Sequence, residues 1–230
     1  MQARYQFMLY KNHINIVRKT TVLATGLFLT ISVCGYIAGF KSDFFSEPKA
    51  TVAVDHLISN SEVMSRLKER ASMAKDYVDV NGFDVSYCFM IDMRLPSGKN
   101  RFFVYNLLKD SLEAAGLVTH GKGSESESGT LVFSNAANSN CTSLGKYKIG
   151  GSYNGNFGLS YKLMGLDKTN SRALGRAVVL HSYFGVPKEE VYPAAICLSE
   201  GCPAVSSAFF TQLKGYMDES QEPILLWIYY

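Results

Sequence analysis

The chain has 230 residues, 47% of them hydrophobic, and a formal net charge of +3. That length holds one domain of ordinary size, or one domain with an appendage, and the apolar share is enough for a full core. The charge is too small, and Lys and Arg too scattered, for a nucleic-acid surface, while the 14 Tyr and 14 Phe, mostly after residue 83, lean toward β-structure.

Residues 20–40, TTVLATGLFLTISVCGYIAGF, carry no charge and are long enough to cross a bilayer as a helix. Arg4, Lys11, Arg18 and Lys19 precede them. The positive-inside rule therefore makes 1–19 a cytoplasmic tail and exports the rest of the chain. A cleaved signal peptide is the rival reading, but the leading region is long and no A-x-A site comes after the apolar run, which favours an uncleaved transmembrane anchor. Cys34 is then an apolar residue of that anchor, since Val33 before it is too large for a lipoprotein site. This topology leads us to expect a single-pass protein of the bacterial inner membrane, with its main body in the periplasm, where cysteines can pair.

Residues 41–58 are mixed in character, contain Pro48 and read as a linker. Ser59 with Glu62 forms a candidate capping box. Val63, Met64, Leu67, Ala71 and Ala74 then recur at helical spacing to about Val78, with Arg66, Lys68, Glu69 and Arg70 between them. Residues 59–83 are thus a helical lead-in with a solvated charged face, and His56 before it reads as a surface histidine.

From residue 84 the period changes to that of strands. Segments 85–93 (VSYCFMIDM) and 101–108 (RFFVYNLL) flank a turn-rich loop and predict an antiparallel hairpin. Segment 111–121 is a third piece, and KGSESESG (122–129) a polar loop. TLVFSN, SLGKYKIGG and FGLSYKLMGL predict further short strands. NSRALGRA (170–177) is a helical turn or loop, and AVVLHSY (177–183) a strand ending on His181. SSAFFTQLKGYMDES (206–220) is an amphipathic helix with Phe209, Phe210, Leu213 and Met217 on one side, and PILLWIYY a final strand buried on both faces. The fold expected for 84–230 is mainly β with a few packed helices.

Chemistry is concentrated in SEGCPAVSS (199–207). A thiol attacks as thiolate, and little thiolate exists at neutral pH unless a histidine or a helix N-terminus assists. Cys202 has a claim to both: the helix expected from about Ser206 starts just beyond it, and His181 ends a strand one loop earlier. Gly201 lets the backbone come close to a substrate, and the amides of Gly201 and Cys202 could face a developing oxyanion. Cys88, Cys141 and Cys197 read as buried small residues, with a Cys141–Cys197 disulfide as a guess. No H-E-x-x-H or C-x-x-C spacing occurs, so neither a metal nor another cofactor is expected.

VVLHSYF followed by LSEGCPAV resembles the catalytic stretch of the L,D-transpeptidases of YkuD-type fold, in which a histidine precedes a Ser/Thr-x-Gly-Cys motif. The matching positions are His181, Ser199, Gly201 and Cys202. Upstream, RFFVYNL, THGKGS, FSNAANSNCTSLGKYKIG, GLSYKLMGLD and RAVVLHS occur in the order of the murein L,D-transpeptidase subgroup with a Gly-Cys-Pro-Ala motif, so the resemblance covers about 84–230. It departs from the better-studied branch at Ala204, where that branch has Arg or Asn two positions after the cysteine.

The resemblance implies a β-rich domain behind the anchor and a cysteine acyltransferase acting on peptidoglycan stem peptides, both donor and acceptor. Cys202 would attack the carbonyl at the L-centre of the third stem residue and expel D-alanine, with His181 as base. An amine would then take the acyl group, giving a 3→3 crosslink. Water as acceptor would make the protein a carboxypeptidase, and larger leaving groups an endopeptidase or a hydrolase of protein-to-wall links. A non-catalytic, membrane-tethered wall-binding scaffold is the reading from another class. Of the secondary positions, His120 and Asn135 match subgroup positions, and His120 lines the cleft or hydrogen-bonds in the core; the others are weighed residue by residue. Ser143 and Tyr153 are structural or at the cleft edge. Ser199 supports the loop or forms a turn, and Arg176 is a surface or salt-bridged residue rather than a clamp for substrate carboxylates.

Overall fold

The computed structural model describes the backbone from Ala50 and the side chains from Ser61 through Tyr230. The expected tail 1–19, the anchor 20–40 and residues 41–49 lie outside the described residues. Among the described residues, no helix is long and apolar enough to cross a membrane. The chain divides into two compact units at residue 59. The first contributes only the opening turns of helix α1 to the described residues, and the second, Asn60–Tyr230, carries the sheet and the side chains packed on it.

Helix α1 runs Ala50–Asn81. It takes in residues 50–58, which the sequence suggests as linker, and passes straight through Ser59 and Glu62, so no capping box starts a helix there. The physical reason is the absence of any Gly or Pro from Ala50 to Asn81. Gly82, at φ +68°, ends the helix in the left-handed conformation that glycine adopts without strain.

One mixed eight-stranded sheet forms the body, from β1 (Tyr87–Asp92), β2 (Phe102–Asn106), β3 (Ser111–Gly116), β4 (Gly145–Gly155), β5 (Gly158–Gly165), β6 (Val179–Ser182), β7 (Ala204–Val205) and β8 (Leu225–Tyr229). Their spatial order is β3-β2-β1-β8-β4-β5-β6-β7. The expected β1–β2 hairpin is present, with Phe89 opposite Val104. The C-terminal strand lies in the middle, parallel to β1 and antiparallel to β4. That position explains its unbroken apolar run, because both of its faces are covered. Leu226 and Ile228 pack with Phe209, Phe210 and Leu213 of helix α2 (Ser207–Glu219), whereas Leu225, Trp227 and Tyr229 pack with Leu67, Ala71, Ala74 and Val78 of α1. The sheet is therefore sandwiched between two helices, and the lead-in helix is one of the domain's layers.

The charged face of α1 is not simply solvated. Arg66 grips the fully buried Asp92 with two nitrogens, each 2.8 Å from Oδ2. The Arg70 guanidinium lies over the rings of Trp227 and Tyr229, at 5.3 and 5.2 Å. Segment TLVFSN, expected as a strand, forms none. Isolated bonds hold it instead, from Val132 N–H to Ser124 O (2.9 Å) and from Ser134 N–H to Thr142 O (3.1 Å), while Leu131 and Phe133 pack onto the core. Its alternating pattern satisfies burial without a ladder partner. Strand β6 extends one residue past His181, to Ser182.

Arg66→Met should leave the Asp92 carboxylate buried without its countercharge and cost about 3 kcal/mol in chemical denaturation. Arg70→Met, which removes the ring stacking and a weak 3.8 Å contact to Met73 Sδ, should cost about 1 kcal/mol.

Candidate active site

The turn Ser199–Ala204 is built by hydroxyls. Ser199 Oγ donates to Cys202 O at 2.7 Å and accepts the Gly201 N–H at 3.1 Å. Thr119 Oγ1 donates to the same Cys202 carbonyl at 3.1 Å and accepts the Ala204 N–H at 3.0 Å. The Thr119 N–H donates to Ala204 O and the Ser199 N–H to His120 O, both at 2.9 Å. Gly201 sits at φ +110°, and a Cβ there would lie 2.7 Å from Cys141 O, so the turn requires glycine.

Leaving the turn, β7 pairs parallel with β6, setting Ala204 opposite His181. Cys202, two residues before Ala204, falls beside the start of β6. Its sulfur accepts the Val179 N–H at 3.5 Å and lies 3.7 Å from Ala177 O. Ala177 holds φ +54°, a costly conformation for a residue with a Cβ, at the point where the chain turns past the thiol. Cys202 and His181 line one cleft of about 660 Å³, together with Thr119, Asn138, Phe157, Arg176 and Tyr183. No hydrogen bond joins the sulfur to the ring; the two share the cleft across adjacent strands.

The tautomer of His181 is set by its partner. Nδ1 lies 2.9 Å from the Ser182 carbonyl, which can only accept. Nδ1 therefore carries the proton, and in the neutral ring Nε2 is the bare base. The ring is 3% exposed and stacks on Phe157 from the β4–β5 hairpin tip, with centroids 4.2 Å apart. Burial holds its pKa below the ordinary histidine value, and the Ser182 carbonyl partly opposes that shift. Burial also pushes the Cys202 thiol up, against the Val179 amide and Arg176, which pull it down, while Glu200 adds to the rise. Both shifts favour the uncharged forms, a thiol and a neutral imidazole.

Two sequence expectations for this turn need correction. The Gly201 amide cannot face an oxyanion, because Ser199 Oγ takes it, and Pro203 has no N–H. The Cys202 amide has no partner among the described residues and remains available. Nor does the N-terminus of α2 act on the sulfur. Its cap, Ser206, bonds the Phe209 N–H, and strand β7 stands between that helix end and Cys202.

The other candidates separate cleanly. His120 is buried away from the cleft: Nδ1 accepts from Arg101 Nη2 at 2.8 Å, so Nε2–H donates to Glu125 at 2.5 Å. Burial and the Arg101 charge lower its pKa, against the pull of Glu125. Asn135 ties its own loop to the turn at 168–172, bonding Lys168 O, Ser171 Oγ and the Arg172 N–H at 3.1 Å each, and does not line the cleft. Ser143 is buried, donating to Ser134 O at 2.9 Å. Tyr153 is exposed on β4, its ring under the Lys162 ammonium at 5.7 Å, and stands outside the cleft. Arg176 does line the cleft, bonded to oxygens of Ser134, Cys141 and Ser143 and to no carboxylate, so it is not salt-bridged. Cys88, Cys141, Cys197 and Cys202 are all free thiols, so the guessed Cys141–Cys197 bond is absent; Cys141 Sγ instead donates to Gly123 O at 2.9 Å. Among the described residues, no cluster of three His, Cys, Asp or Glu could hold a metal. Sequence reasoning missed Thr119 and Phe157. The first adjoins His120 in THGKGS, whereas nothing in the local pattern around Phe157 points to His181.

Residues 59–229 match the profile of a family described as the L,D-transpeptidase catalytic domain. No curated protein matches the chain. Among solved structures it is similar to an L,D-transpeptidase from Mycobacterium smegmatis, at 12% identity over 63% of this chain and 59% of that one, with a TM-score of 0.38. It is also similar to the helical cell shape determining protein Pgp2 from Campylobacter jejuni, at 11% identity over 62% and 47%, with a TM-score of 0.42. A third is an L,D-transpeptidase from Xylanimonas cellulosilytica, at 13% identity over 63% and 60%, with a TM-score of 0.34. The chain thus spans between about half and three fifths of the length of these structures.

Gly201→Ala should destabilise the protein by about 1–3 kcal/mol in thermal unfolding, since both its φ and the Cys141 carbonyl oppose a Cβ. With the thiol pKa raised, Cys202 should be mostly protonated at neutral pH, and its alkylation by iodoacetamide should keep rising beyond the ordinary thiol value of about 8.5. A midpoint below that value would contradict the burial described.

Proposed function

Since the chain belongs to the L,D-transpeptidase catalytic-domain family, matched over 59–229, we propose that it transfers an acyl group from a peptidoglycan stem peptide through a thioester on Cys202. The observation that carries this reading is the shared cleft, where a thiol stands one strand away from an imidazole whose Nε2 is the free base.

The chemistry runs as a balanced acyl transfer. As Cys202 Sγ bonds to the carbonyl carbon of the third stem residue, its proton passes to His181 Nε2. The Ser182 carbonyl, accepting from Nδ1–H, stabilises the imidazolium that forms. The carbonyl oxygen becomes an oxyanion toward which the unpaired Cys202 amide can donate. Collapse expels D-alanine, whose amine takes the proton from Nε2. An amine of a second stem peptide then attacks the thioester, loses its proton to His181, and leaves a 3→3 crosslink with the free thiol restored. Because burial favours the neutral form of both partners, the thiolate forms by proton transfer to Nε2 as the attack begins. The domain then works on the periplasmic side of a bacterial inner membrane, tethered by residues 20–40.

The test is to incubate the full-length protein in detergent with tetrapeptide muropeptides and read both protein and products by mass. D-alanine release with crosslinked dimers is expected. Cys202→Ala should lower turnover by about a thousandfold or more, and His181→Gln by about a hundredfold or more. Tripeptides without dimers would make water the acceptor. Folded protein that forms neither adduct nor product would overturn the acyl-transfer reading in favour of a wall-binding scaffold.

A further inference from the structure

Arg176 is an unusual cation for a cleft wall. It lies in the turn leading into β6 and is only partly exposed. Nη1 donates to Ser134 O at 3.0 Å and to Ser143 Oγ, and Nη2 donates to Cys141 O at 2.7 Å. All three acceptors are uncharged, and among the described residues no carboxylate pairs with it. The other cleft cation, Lys122, is matched by Glu200 at 2.9 Å. The fork is also held against the nucleophile turn, since a Cβ on Gly201 would lie 3.2 Å from Nη2. A positive charge that is neither neutralised nor free to swing into solvent is thus fixed next to Cys202.

We propose that Arg176 is a positioning residue that acts through its charge, stabilising the anionic sulfur of Cys202 as it forms and drawing anionic reagents to it. The inference rests on Cys202 being the nucleophile of the proposed acyl transfer. Ser134, Cys141 and Ser143 gain a common purpose from it, because they orient the guanidinium without cancelling its charge. The planar fork of arginine spans all three acceptors, which a lysine ammonium could not do with the same rigidity. Arg176 also pulls the thiol pKa down, against the larger effect of burial. The other titratable groups facing Cys202 in the cleft are His181, Lys122, Glu200 and Tyr183, and buried Tyr147, outside the cleft lining, also feels the Arg176 charge.

The experiment measures alkylation at the Cys202 peptide of the full-length protein by mass, as a function of pH, with neutral iodoacetamide and anionic iodoacetate. Arg176→Gln, which keeps hydrogen-bond donors but not the charge, should move the midpoint up and slow iodoacetamide about tenfold near pH 7.5. Arg176→Lys, which loses the fork but keeps the positive charge, should stay within about threefold of wild type. A role confined to loop structure would change the high-pH plateau alike in both variants and leave the midpoint in place; that result, in protein folded by circular dichroism, overturns the proposal. If Arg176→Gln does not fold, wild type alone decides. Its ratio of iodoacetate to iodoacetamide rates should exceed that of the uncharged thiol 2-mercaptoethanol, and a ratio at or below it overturns the proposal. None of these readouts needs turnover of a muropeptide, so failure of the charge role and failure of the acyl-transfer reading remain separate results.

Discussion

The site depends on a strand of two residues. β7 is too short to hold itself, yet its parallel pairing with β6 is what sets Cys202 beside the strand that bears His181. The Cys202 carbonyl accepts from two hydroxyls, those of Thr119 and Ser199, and the Thr119 backbone pairs with Ala204. Those anchors are themselves held from below. The His120 carbonyl receives the Ser199 amide, and the His120 side chain is locked between buried Arg101 and Glu125. Arg101 in turn donates to the carbonyls of Leu95 and Val118. A polar chain therefore runs from the loops at the sheet edge to the Cys202 turn, with buried donors satisfied where burial would otherwise be costly.

Burial sets the electrostatics of the pair. A partly dry corner favours the neutral form of both groups, raising the thiol and lowering the imidazole. Burial thus works against a resting ion pair between them. The protein holds an imidazole whose tautomer is set by one backbone carbonyl and whose ring stacks on Phe157, leaving Nε2 unprotonated in the neutral form. Separating charge in such an environment favours fixed dipoles and cations over mobile water, because their orientation is already set by the fold. The Cys202 amide and the Val179 amide are such dipoles, and the tethering of the guanidinium at 176 obeys the same logic.

Much of the architecture was legible in the sequence. The helical spacing of Leu67, Ala71, Ala74 and Val78, the β1–β2 hairpin, the amphipathic stretch around Phe209 and Leu213, and the uniform apolarity of PILLWIYY all appear as expected. Each is a periodicity signal that burial enforces locally. The misreadings share one cause, since each concerns a feature whose meaning depends on a distant neighbour. TLVFSN alternates like a strand but has no edge to join. Ser59 and Glu62 spell a cap inside a helix that began earlier. The charged face of α1 looks solvated until Asp92 and Trp227 are brought beneath it.

The sequence by itself determined most of the sheet-forming segments and the family to which the chain belongs, and it singled out one cysteine and one histidine, because these are written in local period and ordered motifs. Only the tertiary structure decided which amide of the turn is free, which nitrogen of His181 is the base, and that His120 supports the loop from the core while Arg176 reaches the cleft. Those outcomes turn on which donors and acceptors meet across gaps of many residues. A hydroxyl at 199 consuming the amide at 201, or three oxygens from one loop capturing a guanidinium from another, leaves no trace in spacing or composition.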